Sequence, residues 1–448
     1  MAARSENACP NRIPPEAVRR LAIDGLTYPV VFKSMIDDWP SVKWTNESLA
    51  EILLDQTVKF RIGTRKWADE KGVLWERDCM YRNATLYCYN EWLNKDSEQL
   101  SEDNPLKEFP STDYWCYADY KYMAHVFQDR TDILKSVKWS NFGFADRDGT
   151  ESTIWIGSEG SHTPCHFDTY GCNLVAQIHG KKKWSLFAPH QTAMLYPTRI
   201  PYEESSVFSH VNITNPDLKK HPCFQDATPY VITLQPGDVL YVPRHWWHFV
   251  ECLTPAISIN TWIELNVDNQ ARLEESIVRL ITCNMMSSKN TNDGSWLNPT
   301  EEMTSPEVNL EYLKAAMKSV DEKNTEQNQG QGEPVCKMRK TVQKSEQKES
   351  SKCSSECSPV AMHSSQCQTS LALNITECSS FIEKVKCTSS IRESTSNVQD
   401  SENQRSVECT EDNGKECETS LELLVECLTH PSVVRQVADL LKEKCSKK

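Results

Sequence analysis

The chain has 448 residues, and 63 acidic against 49 basic side chains give it a formal net charge of −14. That surplus excludes a dedicated nucleic-acid binder, which needs a basic face for phosphates. No stretch reaches the roughly 18 apolar residues of a membrane span, and the opening Met1-Ala-Ala-Arg-Ser-Glu-Asn7 has no apolar signal core. A soluble, cytoplasmic protein is therefore expected, with no membrane or nucleic-acid partner. The 19 cysteines are odd in number and scattered, which fits free thiols rather than a disulfide scaffold.

Residues 1–20 read as a short mobile arm ending in a helical turn or two at Ala17-Val-Arg-Arg20. An α/β segment follows over 21–109. It holds a β-type run Tyr28–Phe32, a capped helix over Ser48–Leu54, an alternating strand Val58–Ile62, and a helix followed by loop around 88–110. Trp115-Cys-Tyr117-Ala-Asp-Tyr120-Lys-Tyr122 is a dense aromatic strand whose tyrosines read first as core packing. Over 110–265 the pattern is almost wholly β: Ile154–Ile156, a strand around Thr163–Asp168, Cys172–Ile178, Lys183–Phe187, Tyr230–Leu234, Val239–Val242 and Ile257–Trp262. Residues 189–229 read as a long loop, and Val239–Val242 as the strand that delivers Trp246-Trp-His248. Short strands without intervening helices predict two facing antiparallel sheets, a jelly roll of the cupin kind.

Leu273, Ile277, Leu280, Ile281 and Met285 share one helical face, with Asp268 near its start, opening a helical extension over 266–320. The helix 268–286 is a candidate homodimer contact. From 321 to 416 the chain is an acidic, Ser/Cys-rich stretch poor in aromatics, which predicts a disordered linker. Its Cys353 and Cys357 lack the second pair that a zinc site needs. Over 417–448 two apolar stripes around Pro431 predict a helical hairpin, a docking module unless it packs back on the domain.

His166 and Asp168 are two apart, so on a strand both leave the same face. With His248 from another strand they would form the two-His-one-carboxylate triad of non-haem Fe(II) oxygenases. A lone His-X-Asp is a weak signal, and His245, His162 and His179 compete with the named histidines. The open metal positions would admit a bidentate 2-oxo acid and dioxygen. Lys182 would then meet the far carboxylate of 2-oxoglutarate, helped by the Thr163 hydroxyl, unless Lys181–Lys183 is only a solvated turn.

Together these residues resemble the JmjC domain of the small, hydroxylase-like branch over about 110–265, and Pro29-Val-Val31 and Asp38-Trp-Pro40 extend the resemblance upstream. The resemblance implies a mainly β fold, a double-stranded β-helix with flanking helices. It implies Fe(II) on His166, Asp168 and His248, and 2-oxoglutarate on Lys182 and Thr163. Asn173, Asn260 and Tyr117 would be further pocket-lining contacts. It implies hydroxylation of a protein side chain, rather than histone demethylation given the acidic charge and no reader-like module. Within the family, Trp115–Tyr122, Thr163–Leu174, Pro197–Phe208 and Trp296–Thr300 are similar to a member that associates with a small heat-shock protein of the beta class. That implies such a partner and a stress-response role. The alternatives are a non-catalytic adapter on the same platform, or a cupin holding another divalent metal.

Overall fold

The computed structural model describes residues 13–286, 296–329, 382–387 and 421–446. The chain enters through helix α1 (Pro15–Arg20), whose Ala17 and Val18 are buried in the main core. This part of the predicted mobile arm is therefore anchored, and residues 1–12 lie outside the described residues. Strand β1 (Val30–Phe32) and helix α2 (Asn46–Leu53) follow as expected. Thr45 caps α2 in a reciprocal pair with Ser48: each side chain accepts the other's backbone N–H. Next come β2 (Thr57–Thr64), β3 (Met80–Thr85), α3 (Leu86–Asn94), β4 (Tyr114–Tyr122) and two four-residue helices, α4 (Met123–Val126) and α5 (Thr131–Leu134).

The barrel strands are β5 (Thr153–Gly157), β6 (His162–Asp168), β7 (Cys172–His179) and β8 (Lys182–Phe187). The region read as one long loop carries two strands, β9 (Pro197–Thr198) and β10 (Ser206–Ser209). Both are too short for alternation to reveal, and β10 is fixed by pairing with β6. The set closes with β11 (Tyr230–Leu234), β12 (Val239–Val242), β13 (Trp247–Cys252) and β14 (Ala256–Ile263). His248 therefore rides β13, not the end of β12. The two strands are parted by a turn in which His245 takes φ +65°, so the alternation of β12 does not carry through to His248.

One short strand, β15 (Ile382–Lys384), falls inside the stretch predicted to be disordered. The remainder of that stretch, apart from 321–329 and 385–387, lies outside the described residues, Cys353 and Cys357 included. Among the described residues the larger sheet runs β15-β1-β12-β7-β14-β5-β4-β2-β3 and the smaller β11-β8-β13-β6-β10-β9. Neighbouring strands in both sheets pair antiparallel, so side chains alternate between the sandwich interior and its outer faces. On β7, Leu174, Ala176 and Ile178 face a core covered by the N-terminal helices, whereas Val175 faces the inter-sheet core with Trp184, Leu240 and Val250.

Helices α6 (Asp268–Met286), α7 (Pro306–Gln329), α8 (Leu421–Leu428) and α9 (Pro431–Ser446) form a separate layer. The hairpin packs back on α6, whose Leu273, Ile277 and Val278 share a core with Val425 and Val434. Of α6 only Asn284 is exposed. The face proposed for homodimer contact is thus taken by the chain's own helices, because its apolar stripe meets α7, α8 and α9 first.

Strand β15 covers the edge of β1, with Ile382 and Val385 buried and Glu383 exposed beside Lys33 at 3.5 Å. Edge coverage of this kind removes a row of open hydrogen-bonding groups. Val385→Asp should lower unfolding stability by about 2–4 kcal/mol, and Glu383→Gln by under about 0.5 kcal/mol. Urea unfolding of the full chain reads both, and equal small effects would show that this strand is not seated.

Candidate active site

The triad follows from register. His166 and Asp168 leave β6 on one face, and the antiparallel partner of His166 on β13 is His248. One ligand atom from each lies within 4.8 Å of the others, and the two imidazole rings are 4.2 Å apart. Each histidine is oriented by its own strand: His166 Nδ1 meets the Pro164 carbonyl at 2.9 Å, and His248 Nδ1 meets the Trp246 carbonyl at 3.0 Å. A carbonyl accepts only, so Nδ1 carries the hydrogen and Nε2 keeps its lone pair for the cavity. The Trp262 indole donates to Asp168 Oδ2 at 3.0 Å, while Oδ1 stands 4.0 Å from His166 Nε2. Burial, then the neighbouring His248, pushes the His166 pKa down to about 3, while the Pro164 carbonyl opposes this. Burial raises that of Asp168. Two imidazoles and one carboxyl group converging on one point are a donor set that suits a divalent transition metal. The residues present fit an iron ion.

A register shift in the β6–β13 pair, between His248 and Val250, lets Thr163 face the same cavity as His166 although they are three apart. Lys182, at the start of β8, is buried with its ammonium donating to Ser258 Oγ at 2.7 Å and to the Tyr117 hydroxyl at 3.3 Å. No carboxylate lies within ion-pair distance of it among the described residues, and burial lowers its pKa. Its neighbour Lys183 pairs with Glu251 at 3.1 Å, so one lysine of the run turns inward while a neighbour is paired at the surface. Asn260 Nδ2 donates to Asn173 Oδ1 at 2.9 Å and Asn260 Oδ1 accepts from the Trp155 indole at 2.7 Å.

All eight residues singled out from the sequence, Tyr117, Thr163, His166, Asp168, Asn173, Lys182, His248 and Asn260, line one cavity of about 460 Å³. The competing histidines do not. His162 is stacked 3.9 Å from Trp67, and His245 meets the Thr169 carbonyl at 2.8 Å. Ser258, Trp262, Trp184 and Tyr120 also line the cavity. The first two share the alternation of Asn260 on β14 and were within reach of a period-two reading.

The fold agrees with comparison to known proteins. The family model described as Cupin-like domain matches residues 22–269, more than half of the chain. The chain belongs to the cupin-like JmjC family. HSPB1-associated protein 1 of Bos taurus is 50% identical over 295 residues, 65% of this chain and 60% of that protein. Its homolog in Danio rerio is 48% identical over 307 residues, 68% of this chain and 67% of that protein. Lysine-specific demethylase 8 of Xenopus tropicalis is 27% identical over 239 residues, 52% of this chain and 47% of that protein. This JmjC chain spans about three fifths of the length of its mammalian relatives named for HSPB1. No helix among the described residues is long and apolar enough to cross a membrane.

Metal loading tests the triad directly. Equilibrium dialysis with Fe(II) under argon should show affinity falling at least about tenfold in Asp168→Ala and His248→Ala, and unchanged in His179→Gln and His245→Asn. Undiminished loading in Asp168→Ala would contradict the geometry.

Proposed function

We propose that this chain is an Fe(II)- and 2-oxoglutarate-dependent oxygenase that hydroxylates a protein side chain. The observation that carries this reading is the buried Lys182, unpaired by any described carboxylate and facing the cavity that holds the triad. A buried ammonium costs several kcal/mol unless an anion meets it. The distal carboxylate of a five-carbon 2-oxo diacid is such an anion. Iron on His166, Asp168 and His248 would supply the oxidation in which 2-oxoglutarate, dioxygen and substrate C–H give succinate, carbon dioxide and the alcohol.

The chain's own residues bind and orient. Lys182, with Ser258, Tyr117 and Thr163 beside it, offers charge-assisted hydrogen bonds to the diacid's far end. Asn260 accepts from Trp155 and donates to Asn173, so the Asn173 amide is held with its remaining donors available to the cavity. Trp262 fixes Asp168, and the Trp184 ring stacks 5.8 Å from His248, shielding it from water. The net charge of −14 favours hydroxylation of a soluble protein over action on chromatin.

We infer, from relatives named for association with HSPB1, that this chain also associates with a small heat-shock protein of the beta class and serves a stress response. Cys79, Cys88, Cys116, Cys165, Cys172 and Cys252 are free thiols, which suits the cytoplasm. A non-catalytic adapter would keep its biological effect in Asp168→Ala; the oxygenase would lose it.

Anaerobic titration with Fe(II) and then 2-oxoglutarate should produce the metal-to-ligand charge-transfer absorption of a chelated 2-oxo acid. Lys182→Ala should need at least about tenfold more 2-oxoglutarate to reach half of it. A wild-type chain that binds Fe(II) yet gives no such absorption would overturn the reading.

A further inference from the structure

Beneath β15 the larger sheet stops at β1, and the smaller sheet stops at β11. One short segment meets both of these edges. Ile382, Glu383 and Lys384 pair antiparallel with Phe32, Val31 and Val30, and the Val385 N–H donates to the Pro29 carbonyl at 3.3 Å. Cys387 then forms an antiparallel bridge to Tyr230 on β11. The two edges therefore lie on the same side of the sandwich, and the segment laces them together. Without it, β1 and β11 would each present open backbone N–H and C=O groups.

The segment is gripped on both faces. Ile382 and Val385 are three apart, so on a strand they leave opposite faces. Ile382 enters the main core that holds Phe32, whereas Val385 enters the inter-sheet core with Val31, Trp184 and Leu240. Both are buried. The two residues between them meet neighbours of matching chemistry. Lys33 stands 3.5 Å from Glu383, besides its 2.9 Å pair with Asp238, and the Lys384 ammonium lies 4.1 Å from the centre of the Tyr28 ring. The joint edge thus accommodates a four-residue pattern: apolar, acidic, basic, apolar.

The occupant reaches this edge from far along the chain. Helix α7 ends at Gln329 and α8 begins at Leu421, so Ile382–Cys387 is remote in sequence from every other described element. Ordering its backbone offsets much of what two buried apolar side chains contribute. A strand held in this way can open locally while the sandwich stays folded. A segment of another protein with the same pattern would form the same ladder and fill the same two apolar sites.

We propose that the joint edge of β1 and β11 is a docking groove for an extended segment of a partner protein. That segment has apolar residues at its first and fourth positions and an acid–base pair between them. Ile382–Val385 occupies the groove in cis and must be displaced before the partner binds. The inference does not depend on the oxygenase reading.

The test uses the full chain and a fluorescein-labelled peptide, Ile-Glu-Lys-Val-Lys-Ser between glycine–serine flanks, read by fluorescence anisotropy. It should bind the Ile382→Ser/Val385→Ser chain at least about tenfold more tightly than the wild type, whose groove is already filled. A peptide with serine in place of both apolar residues should bind neither chain. Exchanging the acid and the base should weaken binding to the variant about threefold, and undiminished binding would strike that pair from the pattern. If the double variant shows no cooperative thermal melt, Val385→Ser alone decides. Equal affinity for variant and wild type, or no binding to a variant that melts cooperatively, would overturn the proposal. Wild-type dimers that disappear in Val385→Ser, seen by analytical ultracentrifugation, would make a second copy of this chain the occupant and overturn the partner assignment.

Discussion

The antiparallel pairing of β6 with β13 is the constraint from which the site follows. It sets His166 opposite His248, and a slip of one residue would turn every ligand of either strand to the outer face. The register is held from both sides of the smaller sheet. Outward-facing Cys165, Phe187, Trp247 and Phe249 are buried under Trp67, Leu195 and Phe224, so a slipped β6 or β13 would expose aromatic surface and bury polar groups in its place. The break in register beyond His248 is equally specific, because it brings Thr163 to the cavity beside His166. Packing energy on the outside thereby fixes chemistry on the inside.

The interior is expensive to maintain. Arg61 is fully buried between Asp119 at 2.6 Å and Glu76 at 3.5 Å, and also donates to the His162 carbonyl at 3.0 Å. Its guanidinium lies 5.7 Å from the ring of Tyr117, whose hydroxyl receives Lys182. Burial raises the pKa of Glu76 to about 7, with Arg61 opposing the shift. Buried ion pairs rarely stabilise a fold more than apolar residues of like volume would. Their placement behind Tyr117 is better understood as positioning: a rigid charged backing for the residues around Lys182. The Asn298 amide, bonded to both Glu76 and Glu203, ties that backing to the segment after the domain.

Much of this was legible in the sequence, for reasons that differ by residue. His166 and Asp168 were readable because a strand repeats every two residues, and Lys182 because a lysine turned into a β interior needs an anion. His248 was found through its chemistry although its strand was misassigned, since the turn before it interrupts the alternation of β12. Tyr120 and Glu203 carried no comparable signal: one depends on a bulge, the other on contact with a segment some ninety residues away, Asn298 included. Composition likewise hid Ile382–Val385, because so few apolar residues cannot outweigh the polar stretch around them. Their order comes from the β1 edge they cover.

The most direct measurement of the central claim is the fate of dioxygen. The purified chain, supplied with Fe(II), 2-oxoglutarate and isotopically labelled dioxygen, should form succinate carrying one labelled oxygen atom in its new carboxylate, detected by mass spectrometry. Asp168→Ala should form none. Succinate that is absent from the wild-type reaction, or equally abundant with Asp168→Ala, would contradict the account.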